Sequence, residues 1–233
     1  MPELVSVITR TCNRPDLLAE ALDSVAAQDY PAIEHLVVND GGEDVRALVE
    51  KARSHVKARY FAPGRVGRCR AGNVALEAAQ GRWIAWLDDD DLYYPHHVST
   101  LVKALHECGK KVVYSDADHA MQTWDAAANR YREVSRTTVR SFEWSKITLW
   151  RRGDLHLVTV MHDRECTDRL GGLDEAVPVL EDLDLLSRFA QEYNFFHVPE
   201  VTAVFRVRDD NTRGAGVAHR HRSFGFSNQL ELV

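Results

Sequence analysis

A single α/β domain around a mostly parallel sheet is what this sequence predicts, on three observations. Short apolar runs rich in β-branched residues alternate with amphipathic stretches through the first half of the chain, the pattern of strands joined by right-handed crossover helices. The 233 residues are 45% hydrophobic, which permits a substantial core. No repeat, low-complexity tract or linker divides the chain, so the less regular second half reads as part of the same domain.

Each element has its own signal. Leu4 to Ile8 is a short apolar run; TRTCNRPD breaks it, and an amphipathic stretch follows from Leu17 to Gln28, predicting strand, loop and helix. Leu36, Val37 and Val38 repeat the strand signal and stop at the turn sequence NDGG. A helix from about Val45 to Ser54 and a short strand from Ala58 to Phe61 come next. Gly67 to Ala79 carries helical spacing through Ala71, Val74, Ala75 and Ala78, with Gly81 predicted as its C-cap. The strand Trp83 to Leu87 follows, then a helix from Pro95 through roughly Cys108 and a strand from Lys111 to Tyr114. Met121 to Asp154 is polar and poorly periodic, although Trp124, Trp144 and Trp150 mark it as more than a linker. Leu183, Leu186 and Phe189 share one face of a later helix, and Val198 to Val207 returns to strand. The first half is a nucleotide-binding type of layout.

Composition excludes several classes. A net charge of -6 and a pI near 6.0 argue against wholesale nucleic-acid binding, which needs an excess of Lys and Arg. The four cysteines, Cys12, Cys69, Cys108 and Cys166, form no CxxC pair and indicate neither a zinc site nor a disulfide scaffold. No stretch approaches the ~18 apolar residues of a membrane span, and MPELVSVITR lacks the form of a signal peptide. A cytoplasmic protein is expected. The ending SNQLELV has no obvious terminal element, as in a chain cut from a longer protein.

Three constellations carry chemistry. Leu87 to Pro95 reads LDDDDLYYP, four carboxylates directly behind an apolar strand. Such a run repels itself and calls for a cation; a hard divalent ion, Mg²⁺ or Mn²⁺, commonly bridges one or two carboxylates to substrate phosphates. The C-terminal end of a strand in an open α/β sheet is where ligands bind. If strand geometry persists, Asp88 and Asp90 share one side, while Asp89 and Asp91 point elsewhere and serve packing, capping or solubility. The plain alternative is a charged βα loop. NDGG, Asn39 to Gly42, places a carboxylate and two glycines at a strand end, suited to a base N–H and to close backbone approach, or to an ordinary turn. No GxGxxG follows the first strand, which speaks against a nicotinamide-dependent enzyme. LEDLDLLSR, Leu180 to Arg188, opens a helix with Glu181, Asp182 and Asp184; the helix dipole accounts for one of them, and a general base accounts for another.

VSVITRTCNRPDLLAEALDSVAAQDYP, EHLVVNDGG, GRWIAWLDDDDLYYP and LGGLDEAVPVLEDLDLLSR, in this order and spacing, resemble the family 2 glycosyltransferases of the GT-A fold over roughly residues 4 to 208. The resemblance implies inverting transfer of a sugar from a nucleotide-diphosphate donor, usually UDP-linked, to an acceptor hydroxyl, with Mn²⁺ or Mg²⁺. It implies a donor half over about residues 1–117, an acceptor half over about 118–205, and a C-terminal lid or tail over 206–233.

By the same resemblance Asp182 is the catalytic base with Glu181 beside it, and Asp90 is the metal ligand. Thr9, Arg10, Asn13, Arg14, Asp40, Arg70, Asn73, Asp88 and Asp89 are implied on the donor side, with Asp40 on the base. His162, in TVMHDRE, falls on the acceptor side of the sugar pocket; Arg206 and Arg208 are expected near acceptor or diphosphate. Cys12 stands where the family has a Tyr against the base, Asn39 where it has a frequent Asp, and Gly72 where an Arg is common, so that Arg70 or Arg68 takes the phosphate contact. Arg208 stands where some members have a late His in the metal shell.

The basic residues Arg206, Arg208, Arg213, Arg220 and Arg222, with Gly214 and Gly216 as hinges, suggest a closing segment. Glycan or lipid-linked acceptors in polysaccharide assembly are expected, the latter met at the inner membrane surface. Two other readings stay open. A sugar-phosphate nucleotidyltransferase shares the layout but needs a Gly-rich N-terminal loop, and VITRTCNRPD has no glycine. A non-catalytic nucleotide-sugar or glycan-binding module is the other, and Asp88, Asp90 and Asp182 argue against it.

Overall fold

The structure, a computed structural model, describes residues 2–52, 56–152, 155–177 and 179–208. The first half is strand and helix in alternation: β1 (Val5–Thr11), α1 (Pro15–Ala26), β2 (Ile33–Asn39), α2 (Arg46–Ala52), β3 (Lys57–Phe61), α3 (Arg68–Ala78) and β4 (Trp83–Trp86). Then come the two-residue β5 (Leu92–Tyr93), α4 (His97–Cys108), a long hairpin of β6 (Val112–Asp125) and β7 (Arg130–Val139), and α5 (Lys146–Arg152). A 3-10 turn leads into β8 (Val160–Asp163), α6 (Arg164–Leu170), α7 (Glu181–Glu192) and β9 (Phe195–Arg208).

The strands join in one sheet ordered β3-β2-β1-β4-β8-β6-β9-β5, with β7 on β6. β1 pairs in parallel with β2 and β4, and β2 with β3; β8 runs antiparallel between β4 and β6. The chain therefore goes to one side of β1 for β2 and to the other for β4, which makes the β1/β4 boundary a topological switch point. Thr11 lies opposite Asn39 and Ile8 opposite Trp86, so the loops leaving β1, β2 and β4 open on the same edge. The site lies there.

Alternation along β1 builds both faces of the core. Val5 and Val7 pack with α1 and α4 side chains such as Val25, Val98 and Leu101, while Ile8 packs with Leu36, Ala71, Ala75, Trp86 and Phe189. Glu34 is buried on this sheet, yet it accepts the Ser6 hydroxyl at 2.7 Å and the Gln80 N–H at 2.6 Å, so its burial is compensated.

Three expectations change. Helix α3 ends at Ala78 with Ala79 as its C-cap, in extended conformation (φ −63, ψ 135), so Gly81 is not the C-cap. Gly81 instead lies against β1, where an added Cβ would sit 2.6 Å from the Ser6 nitrogen. The stretch Met121 to Asp154 is not irregular: the β6–β7 hairpin and α5 occupy most of it. β7 is exposed along nearly its whole length, so neither face required the apolar alternation that marks a half-buried strand. Arg206 and Arg208 end β9 rather than begin a lid, and the remainder of that basic stretch, 209–233, lies outside the described residues.

Candidate active site

Strand geometry does not persist through the acidic run. Leu87 N–H still bonds the Ile8 carbonyl, then Asp91 N–H bonds the Asp88 carbonyl at 3.1 Å and closes a turn. The turn sorts the carboxylates. The Asp88 and Asp90 side chains keep 41% and 19% exposure, while Asp89 and Asp91 are buried.

The cations facing this run are arginines. Arg10, buried on β1, donates from Nη2 to Asp88 Oδ1 at 2.7 Å and from Nη1 to Glu181 Oε1 at 3.1 Å. Burial works against its charge, but Asp88 and Glu181 outweigh that and raise its pKa. Arg68, at the start of α3, reaches Glu181 Oε1 at 2.7 Å and lies 3.9 Å from Asp88. Its surroundings disfavour charge on Asp88, yet Arg10 and Arg68 hold the carboxyl below the usual range.

The other three carboxylates meet a second set. Arg14 Nη1 lies 3.1 Å from Asp89 and 3.0 Å from Asp90. Asp89 also accepts the Thr11 hydroxyl at 2.8 Å, and burial with the repulsion of Asp90 pushes its pKa up to about 6 against Arg14. Asp91 accepts the Arg206 backbone N–H at 2.9 Å; burial, with Asp90 close by, pushes its pKa well above the carboxylate range. The Arg208 guanidinium contacts Asp90 and lies over the Tyr131 ring at 5.6 Å, and Arg206 meets the Asp90 carbonyl and Glu20.

Helix α7 meets the same arginines through its first residue. Leu180, ahead of it, is held at φ 62, a conformation uncommon for a bulky residue, and is 57% exposed. Glu181 is buried on the two arginines; Asp182, half-buried, accepts the Leu183 N–H at 2.8 Å. Asp184 pairs with Arg188 at 2.8 Å, and Arg188 donates to the carbonyls of Leu170, Gly171 and Gly172. That makes Asp184 a support for the preceding loop.

The remaining wall is backbone. Asp40 Oδ1 accepts the N–H groups of Val66 at 2.7 Å and Gly67 at 2.9 Å, tying the loop after β2 to the start of α3. Asn13, at φ 55, accepts the Glu43 N–H at 2.9 Å. A Cβ at Gly42 would lie 2.6 Å from the Asn13 nitrogen, so the glycine is required where the two loops meet.

The family model for glycosyl transferase family 2 matches residues 6–166. The chain belongs to this family. It is 30% identical over 187 residues to an uncharacterized glycosyltransferase of Rickettsia conorii, a match covering 78% of this chain and 30% of that protein. A relative in Rickettsia typhi is 28% identical over 213 residues, covering 90% of this chain and 65% of the relative, so the chain spans less than two thirds of either. Among solved structures, residues 1–349 of TarS from S. aureus match with a TM-score of 0.73 at 19% identity, over 87% of this chain and 60% of that one. A mannosyltransferase from Pyrobaculum calidifontis, in complex with GDP-Man and Mn²⁺, matches at 0.66 and 21%, over 88% and 57%. The fold is GT-A.

The stretch matched to family 2 holds the acidic turn and ends before α7, so Glu181 and Asp182 are joined to it by the geometry given above. Four implied site residues stand elsewhere. Thr9 is fully buried and hydrogen-bonds His35 at 2.8 Å. Arg70 turns to the exposed Glu77 at 2.5 Å, leaving Arg68 as the arginine of α3 that approaches the acidic turn. Asn73 bonds both the Leu173 carbonyl and N–H, holding the loop before α7. His162 has no exposure: Trp86 Nε1–H donates to its Nε2 at 3.2 Å, Nδ1 lies 3.0 Å from the Asp163 carbonyl, and burial lowers its pKa to about 4. It is a neutral core residue, not part of an acceptor wall.

Among the described residues no three His, Cys, Asp or Glu side chains form a ready metal cluster. Asp88 and Asp90 are nevertheless hard oxygen donors with a path to solvent, which fits a Mg²⁺ or Mn²⁺ that takes its other ligands from substrate phosphates and water. Such an ion must take Asp90 from Arg14 and Arg208. The arginine pairing itself was not legible beforehand, although the run of unpaired charge behind a buried strand was a signal that partners existed.

Proposed function

We propose that this domain transfers a sugar from a nucleotide-diphosphate donor, a UDP-sugar by preference, to a hydroxyl of a glycan or lipid-linked acceptor, with inversion at the anomeric carbon. The observation that carries this reading is the Arg10 bridge, because one buried guanidinium ties the acidic turn at Asp88 to the first residue of α7 at Glu181. Donor-side and base-side carboxylates are thereby held on one cation. The matched TarS has been crystallised with UDP-GlcNAc, and the Pyrobaculum enzyme with GDP-Man and Mn²⁺, which supports a nucleotide sugar in the corresponding crevice.

Asp40 receives the base, using the carboxylate oxygen that does not hold the Val66 and Gly67 amides. Asp88 and Asp90 face the ribose and diphosphate, and Arg14, Arg68 and Arg208 offset the phosphate charge. Mn²⁺ or Mg²⁺ bound through Asp90, with Asp88, would supply Lewis-acid stabilisation of the departing diphosphate. Asp182 takes the acceptor hydroxyl proton as that oxygen bonds the anomeric carbon from the side opposite the breaking bond to diphosphate oxygen. Glu181, paired with Arg10 and Arg68, positions the helix that presents Asp182.

The test is release of UDP from a panel of UDP-sugars in the presence of acceptor, for wild type and Asp182→Asn. Turnover is expected to fall by about 100- to 10,000-fold with UDP affinity unchanged, the usual range for loss of a general base. Turnover within a few-fold of wild type would remove Asp182 from that role.

A further inference from the structure

Ile147 and Trp150 are the most exposed large apolar side chains among the described residues, at 69% and 64%. They stand three residues apart, on one face of α5, while Leu149 on the other face is buried with Phe189 and Phe195. The helix is fixed in this orientation. Just before it, Trp144 stacks on Phe195 with ring centroids 4.1 Å apart and donates to Asn194; Lys146 donates to the Gln191 carbonyl at 3.1 Å. Neither Ile147 nor Trp150 has a part in the site described above.

The surroundings say what chemistry covers this face. Residues 140–152 contain Arg140, Lys146, Arg151 and Arg152 against Glu143 alone, in a chain whose net charge is -6. The Arg140 side chain is 78% exposed. An indole and an aliphatic side chain exposed together, in a stretch of sequence with four basic residues to one acidic, form the composition that enters a bilayer interface and attracts anionic headgroups. A carbohydrate platform would set polar groups beside the ring, and Ile147 offers none.

We propose that α5 docks this domain on an anionic lipid surface, with Ile147 and Trp150 entering the interface and the basic residues of 140–152 drawn to the headgroups. Helix α5 packs on α7, whose first turn carries Glu181 and Asp182, so docking sets the catalytic helix close to where a lipid-linked acceptor is presented. The inference rests on the transfer reading for this purpose alone.

The test is co-sedimentation of the full chain with phosphatidylcholine vesicles, with and without phosphatidylglycerol, for wild type and the Ile147→Ser/Trp150→Ser double variant. Both positions are exposed, so an unchanged melting temperature is the check on folding. Wild type is expected to bind the anionic vesicles, and the double variant to bind about tenfold or more weakly, since interfacial affinity scales with buried apolar area. Failure of wild type to bind, or equal binding by the variant as charge in 209–233 would produce, overturns the proposal. So does loss of self-association or of soluble-glycan binding in the variant while vesicles are ignored. Calorimetric UDP binding separates the two readings: UDP bound without vesicle binding sinks docking alone, and vesicle binding without UDP sinks the donor assignment alone.

Discussion

Asp88 and Asp91 stand three residues apart in one turn, and the protein treats them in opposite ways. Asp88 keeps 41% exposure and, between Arg10 and Arg68, is held below the usual carboxylate range. Asp91 is buried, accepts a backbone N–H from β9, and is pushed by burial and by Asp90 far toward the protonated form. Asp90 and Asp89 repeat the contrast, one open beside Arg14 and Arg208, the other enclosed by Thr11 and Arg14. Under the proposed transfer reading the difference gives one run two jobs: Asp88 and Asp90 serve the ligand, while Asp89 and Asp91 fasten the turn to β1 and β9.

Removing the cation that joins open Asp88 to buried Glu181 should have the largest effect on stability. Arg10→Met leaves buried Glu181 with Arg68 alone and Asp88 without its close partner; a loss of about 3 to 5 kcal/mol is expected in urea unfolding. A loss below about 1 kcal/mol would show that Arg68 suffices and that Arg10 is not the organising charge. Next comes the buried member. Asp91→Ala orphans the Arg206 N–H and should cost about 1 to 3 kcal/mol, whereas Asp91→Asn, which resembles the protonated acid, should cost much less. Equal losses in the two variants would deny that Asp91 is held neutral.

Three buried histidines give a pH-dependent version of the same contrast between buried and open groups. Burial lowers His35 and His97 to about 3 and His162 to about 4. Between those values and about 6.5 the unfolded chain binds protons that the folded chain refuses, so stability falls as pH drops, by about 1.4 kcal/mol per pH unit for each histidine. His162→Gln should flatten the slope of stability between pH 6 and pH 5 by about that much in urea titrations, and an unchanged slope would mean that His162 is charged in the fold. The smallest effect belongs to Arg70. Its partner Glu77 is exposed, so Arg70→Ala should leave both the urea midpoint and turnover nearly unchanged; lost turnover would return Arg70 to the donor site.

Strands β1, β2 and β4 were legible because each is buried on both faces and carries a short apolar segment, Val7 with Ile8, Leu36 to Val38, and Trp83 to Trp86. β6 was legible only to Tyr114. Beyond it Ser115, Asp116 and Asp118 are buried polar residues whose partners, Thr202, His197 and Tyr94, lie far away in sequence. The acidic run and the Glu181–Asp182 pair were visible as unexplained charge, and the family resemblance supplied their order. Long-range pairing was not visible: nothing local in Arg10 points to a carboxylate 171 residues on. His162 misled for the related reason that the family resemblance put it on the acceptor side of the sugar pocket while Trp86 and Phe189 enclose it in the core.

The most direct test of the two-job turn is calorimetric titration of UDP with Mn²⁺, and again with chelator, into wild type, Asp88→Asn and Asp91→Asn. Binding by wild type that collapses with chelator, is lost in Asp88→Asn and survives in Asp91→Asn is the predicted result. Binding that Asp88→Asn retains, or that Asp91→Asn loses in a folded protein, would contradict the division of the acidic turn and move the diphosphate elsewhere.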